Sequence, residues 1–100
     1  MYRNNSYDQS LAREFKNPKF AQEYLLNLVN DKDEPMSIEE ALRFIIPKIG
    51  VSEFAKIIDK NISDVDKFLR KERNLKPDTL IDYLKPFKLQ IKMSLEKKAA

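Results

Sequence analysis

The sequence predicts an all-α fold with an N-terminal helical arm and a short C-terminal β-strand, and three observations carry that prediction. The chain holds a single glycine, Gly50, in 100 residues. Apolar residues recur at spacings of three and four along most of its length, the period of a helix that buries one face. Only in "KLQIKMSL" does the pattern change: Leu89, Ile91, Met93 and Leu95 alternate with Gln90, Lys92 and Ser94, the period of a half-buried strand.

The elements follow in chain order. In the arm, Tyr7, Leu11 and Phe15 recur every four residues. "NPKFAQEYLLNLVND" then opens with Asn17 as N-cap and Pro18 at the first helical position. Phe20, Tyr24, Leu25, Leu28 and Val29 fall on one stripe, so an amphipathic helix is expected to end near Asn30. The acidic "NDKDEP" reads as a linker, which divides the chain into an arm (1–34), a main domain (35–95) and a tail (96–100).

In "SIEEALRFIIPKIG", Ser37 and Glu40 have capping-box spacing, and Ile38, Ala41, Leu42, Ile45 and Ile46 form the face to be buried. Pro47 should kink or stop this helix near Ile46 or Ile49, with Gly50 as the C-terminal stop. Pro77, Asp78 and Thr79 start a further short helix, "DTLIDYLKPF", with Leu80, Ile81, Tyr83 and Leu84 as its apolar residues and Pro86 closing it. A strand over Leu89 to Leu95 has no second good strand candidate to pair with. Its partner is then either a second copy, giving a homodimer, or the packed surface of its own domain.

Composition narrows the function. Without cysteine no disulfide forms, and without histidine the usual zinc ligands, nucleophile–base pairs and general base are missing. The remaining carboxylates, lysines, serines and tyrosines form no convergent set, so neither an enzyme nor a cofactor or metal site is expected. The longest apolar runs, such as "FII" and "YLL", are three residues, and "MYRNNSYDQS" is too polar for a signal peptide, so a cytoplasmic protein with no membrane partner is expected. Net charge is +3 but unevenly spread, with ten Lys and Arg against four Asp and Glu from Lys67 onward. That excess reads either as a solvated surface with a lysine-rich tail or as a patch facing phosphate.

Between Val51 and Arg70 the apolar spacing matches a helix-turn-helix. Such a motif needs a small residue where its helices cross, large apolar residues beside it and a branched residue on the inner face of the second helix. Ala55 is the small residue, Phe54, Ile58, Phe68 and Leu69 are the large ones, and Val65 is the branched one. Asp59 stands four residues after Ala55, where a glycine is usual, and Asp tolerates left-handed backbone better than most residues.

With Val65, Phe68 and Leu69 turned inward, the second helix presents Ser63, Asp66, Lys67, Arg70 and Lys71, with Asn61 and Ile62 at its start. Lys67 and Arg70 are the expected base or phosphate contacts on double-stranded DNA. Ser63 reads either as the helix N-cap, the favoured role, or as a short donor that touches a base or phosphate on the DNA. Asp64 and Asp66 either offset the helix dipole, by about 0.3–1 kcal/mol each, or accept from a cytosine amino group; in both cases they oppose approach to a polyanion. Lys71, Arg73 and Lys76 continue the basic run into the following loop, and Ser52 opens the preceding helix, where backbone N–H groups suit another phosphate. The alternative is an ordinary solvated loop. Outside this region Tyr7, Leu11, Phe15, Phe20 and Tyr24 supply aromatic and apolar anchors for a protein partner. They also fit this domain's own core, a reading that weighs more for Phe20 and Tyr24 than for the other three.

Asp8, "NPKFAQEYL", "EEALRFII", "EFAKII" and "RNLKPDTLIDYLKPFKLQI" together resemble the probable addiction-module antidote proteins, HigA-like type II antitoxins with a Cro/repressor-type helix-turn-helix. The resemblance runs from about Tyr7 to Leu95. It implies a DNA-binding domain, a cognate toxin resembling the RelE or HigB ribonucleases, and repression of the operon both proteins share. Two other functions fit the residues: a stand-alone phage or operon repressor, and a protein-interaction module whose helix-turn-helix scaffold has lost DNA binding.

Overall fold

The computed structural model describes residues 14–15 and 17–91, and every regular element among them is helical. Five α-helices, α1 (Pro18–Val29), α2 (Ile38–Ile49), α3 (Val51–Ile57), α4 (Ile62–Leu69) and α5 (Pro77–Leu84), lead into a 3-10 turn at Lys85–Phe87. None is long and apolar enough to cross a membrane. Residues 89–91 pair with no strand among the described residues, and the rest of the expected strand, with Tyr7 and Leu11 of the arm, lies outside them.

Local chemistry sets the ends of the first two helices. The Asn17 side chain accepts the Lys19 N–H at 3.0 Å, and Pro18 occupies the first helical position. At α2 the capping box closes: Ser37 Oγ accepts the Glu40 N–H and Glu40 Oε1 accepts the Ser37 N–H, each at 3.1 Å. Pro47 lies in the last turn of α2, which runs on to Ile49 before Gly50, at φ 113°, donates its N–H to the Ile46 carbonyl.

The arm and the main domain share one core. Phe15, Ala21 and Leu25 are buried with Ala41, Leu42, Ile45 and Ile46 of α2, so the expected boundary at residue 34 does not separate two packed units. Ala21 makes this possible, because a small side chain lets α1 lie close against its neighbours. The apolar stripe of α1 is thus centred on Ala21 and Leu25, with Phe20, Tyr24, Leu28 and Val29 half-buried along its borders. In α5 the stripe runs through Leu80, Tyr83, Leu84 and on to Phe87, and Ile81, off that spacing, is exposed.

Helices α3, α4 and α5 meet at three rings. Tyr83 packs edge-on against Phe54 at 5.5 Å and Phe68 at 5.4 Å between centroids, while Ala55 and Val65 are buried beside them. Arg43 of α2 reaches over this assembly. Its Nε donates to the Phe68 carbonyl at 2.8 Å, and its guanidinium carbon lies 4.4 Å from the Phe68 ring centroid. One side chain thereby ties the C-terminal end of α4 to α2, through a charge-assisted hydrogen bond and a cation–π contact.

Three turns use left-handed backbone without glycine: Asp59 at φ 57°, Lys71 at φ 64° and Lys88 at φ 56°. In each, two N–H groups fold back onto carbonyls of the preceding helical turn. After α3, the Asp59 N–H donates to Lys56 O at 3.2 Å and the Lys60 N–H to Ala55 O at 2.9 Å. After α4, the Lys71 N–H donates to Phe68 O at 3.0 Å and the Glu72 N–H to Lys67 O at 2.9 Å. This geometry satisfies carbonyls that a helix end leaves open.

The N-cap expected for α4 is corrected by the structure. The N-cap of α4 is Asn61, with extended backbone at φ −70°, ψ 137°, whereas Ser63 is the second residue inside the helix. Asn61 O already accepts the Asp64 and Val65 N–H groups at 3.1 and 3.2 Å. Only Asp59 and Lys60 lie between Ile58, the C-cap of α3, and Asn61, and this short connection starts the helix two residues earlier than a cap at Ser63 would.

Two stability predictions follow from these ends. Lys88→Gly should stabilise the chain by about 1 kcal/mol, because the left-handed conformation costs a residue with a Cβ about that much, while Lys88→Ala should not; urea denaturation distinguishes them. The Ser37 N–H and hydroxyl beside Glu40 hold its carboxyl below the ordinary 4.5. A depressed carboxylate contributes stability above its ordinary value and loses it as pH falls through the folded value. Thermal unfolding from pH 6 to pH 3 should therefore show a smaller acid-side loss in Ser37→Ala, which also starts lower by about 1 kcal/mol from the lost cap.

Candidate nucleic-acid interface

The inner face of α4 decides what its outer face can offer. Val65 and Phe68 are buried and Leu69 packs against the core, so Ser63, Asp66, Lys67 and Arg70 lie on the remaining sides. Asn61 and Ser63 are exposed, and Ile62, beside them, is 51% exposed. Lys67 is half-buried and makes no ion pair among the described residues. Ser52 is exposed in the first turn of α3.

Neither aspartate of α4 stands alone, Asp64 in its first turn or Asp66 further along. Asp64 pairs with Arg73 at 2.9 Å, and Asp66 pairs with Arg70 at 3.1 Å, one helical turn on. Arg70 also lies 3.5 Å from Glu72. The carboxylates expected to repel a polyanion are thus screened by two of the arginines expected to attract one. Both pairs are about half exposed, and exposed pairs contribute only ~0–1 kcal/mol because water competes for each charge. An incoming phosphate meets an arginine that is cheap to release, and leaves behind a carboxylate that must be solvated.

The loop after α4 adds Lys71, held in the left-handed turn, and Lys76, the N-cap residue of α5; both are exposed and make no ion pair among the described residues. On the far side of this loop, Lys60 pairs with Asp82 at 3.2 Å, and Lys85 reaches the same carboxylate at 3.3 Å. These two ammonium groups hold the Asp82 carboxyl below its ordinary range. Burial pushes the Tyr83 phenol up, with the Asp64 carboxylate adding to the shift and the Arg73 guanidinium opposing it. Tyr83 therefore stays a neutral hydroxyl at physiological pH.

The aromatic anchors sort differently from expectation. Phe15 is 2% exposed, with Phe20 at 5.2 Å and Tyr24 at 4.9 Å between centroids, so it belongs to the core. Phe20 and Tyr24 lie above it half-buried, the reverse of the order read from sequence, because the Phe15 ring is covered by both of them. Tyr24 stacks on Phe44 of α2, with centroids 6.2 Å apart and an interplanar angle of 9°. Phe44 is 38% exposed and carries Lys48 Nζ 4.2 Å from its centroid. Phe44 was not singled out in the sequence, although it follows the buried Ala41 by three residues and so borders the same helical face.

No protein-family model, no curated protein and no solved structure matches this chain.

The weak coupling of the aspartate–arginine pairs is measurable. In a double-mutant cycle of Asp64→Asn and Arg73→Gln, chemical denaturation should give a coupling below about 1 kcal/mol that shrinks with added salt. A coupling of several kcal/mol would mean that Arg73 is committed to the fold and not free to exchange.

Proposed function

We propose that the chain is a DNA-binding regulator whose α3 and α4 act as a helix-turn-helix, with α4 as the helix that enters the major groove. A single observation carries the reading. Helix α4 buries Val65 and Phe68 across from the small Ala55, and its other faces and following loop display Lys67, Arg70, Lys71, Arg73 and Lys76. Such a motif brings the start of its second helix nearest to the bases, where Asn61 suits adenine and the exposed Ile62 suits a thymine methyl. Lys67 contacts a base or phosphate directly, and Arg70 and Arg73 join after exchanging their carboxylate partners for phosphate. A dimer, formed through the segment from Leu89 onward, would place two such helices on a two-fold operator.

The family resemblance extends this reading to an antitoxin that represses its own operon and holds a ribonuclease-like toxin. The aromatic surface of Phe20, Tyr24 and Phe44, with Tyr7 and Leu11 of the arm, is the proposed toxin contact. The bonds from Arg70 to Asp66 and from Arg73 to Asp64 favour a second reading, a protein-interaction module in which these cations are spent internally.

Fluorescence anisotropy on the chain's own upstream DNA and on a scrambled duplex, at two salt concentrations, separates the two. The regulator should prefer its own DNA, lose affinity steeply with salt, and lose tenfold or more with Lys67→Glu. Absence of binding at low salt would leave the interaction module. Asp66→Asn should tighten DNA binding several-fold, because it frees Arg70 and removes a repelling charge.

A further inference from the structure

Beside the proposed DNA-facing surface lies a cavity of about 470 Å³, walled by Lys60, Asp64, Arg73, Lys76, Thr79 and Tyr83, with Asn74 and Leu75 completing it. Its volume is in the range of a small-ligand site. Two independent features give it a chemical preference. The first is the start of α5. Lys76 caps this helix without a side-chain hydrogen bond, and Pro77 and Asp78 precede Thr79 in its first turn. The positive end of the helix and its open N–H groups therefore suit an anion, although Asp78, exposed in the same turn, opposes one.

The second feature is Tyr83. The residue is 2% exposed, its ring is locked between Phe54 and Phe68, and among the described residues its hydroxyl makes no hydrogen bond. A buried hydroxyl without a partner costs about 1–3 kcal/mol, so the group is completed by whatever fills the cavity it lines. It offers a donor to an acceptor oxygen there.

We propose that this cavity binds a small phosphate monoester, its phosphate against Lys76, Arg73, Thr79 and the Tyr83 hydroxyl, and a compact apolar body against Leu75. The charge count favours phosphate over carboxylate. Lys60, Arg73 and Lys76 exceed Asp64 by two positive charges among the lining residues, and the further carboxylate on Lys60, Asp82, is balanced by Lys85. A phosphate monoester carries about −1.5 to −2 at neutral pH, with three acceptor oxygens for several converging donors. Binding draws Arg73 from Asp64, so the ligand and the proposed DNA contact use one side chain. The site itself does not rest on DNA binding and is tested without DNA.

The test is calorimetric titration of the full chain with phenyl phosphate, inorganic phosphate and phenol. Phenyl phosphate should bind saturably, at least several-fold more tightly than inorganic phosphate, and phenol should not bind. Tyr83→Phe should weaken phenyl phosphate three- to tenfold, the worth of one hydrogen bond, while keeping or raising thermal stability because the unpartnered hydroxyl is gone. Lys76→Gln, at an exposed residue that cannot unfold the chain, should weaken it similarly. No saturable binding at 10-fold excess over about 1 mM protein, on the scale of weak ligands, would overturn the proposal. So would binding that both variants leave unchanged. Equal affinity for inorganic phosphate would overturn the apolar half of the site.

Discussion

Helices α3 and α4 have seven and eight residues, and helices this short do not hold together on their own in water. Their geometry depends on the contact of Phe54, Phe68 and Tyr83, each buried and each from a different helix. Burying one such ring contributes roughly 1.5–3 kcal/mol, more than an exposed ion pair at about 0–1 kcal/mol or a helix cap at about 1 kcal/mol. The angle between α3 and α4, and the direction in which Lys67 and Arg70 project, follow from how these rings and Ala55 fit. Arg43 secures the arrangement from α2, and α1 closes the other side of the same core through Ala21 and Leu25. Surface chemistry in this molecule is thus held in place by an apolar knot that takes no part in it.

Electrostatics around α4 follow from that placement. The left-handed turn at Lys71 folds the chain back so that Arg73 returns along the helix to Asp64, nine residues earlier. Asp64, in the first turn of α4, stabilises the helix by its position, and both it and Asp66 meet arginines. The surface is neither the open basic patch nor the acidic barrier that its composition suggests. It is a set of weak internal pairs, and its behaviour toward a polyanion depends on how readily they exchange.

The same fold-back creates the cavity beneath α5. Tyr83, a core residue, is among the side chains that line it, together with Lys60, Asp64, Arg73 and Lys76. One residue therefore serves two layers. Its ring is part of the knot, and its oxygen is part of the proposed ligand site.

Much of the fold was legible in the sequence because it rests on local or periodic signals. Asn17 and Pro18 start a helix by their own geometry, Ser37 and Glu40 cap one reciprocally, and Asp59 adopts the left-handed turn that its short side chain allows. The spacing of Phe54, Ala55, Val65 and Phe68 identified the buried face of both short helices, since a helix repeats every 3.6 residues whatever surrounds it. Tertiary structure decided the rest. Ion pairing of Asp64 with Arg73 needs the loop to turn back, the seat of Arg43 on Phe68 brings together residues 25 apart, and Phe15 is buried in a core shared between elements, with Phe20 and Tyr24 packed on its ring. Which charges are available and which rings are open depends on contacts between elements, and no periodicity within one element records them.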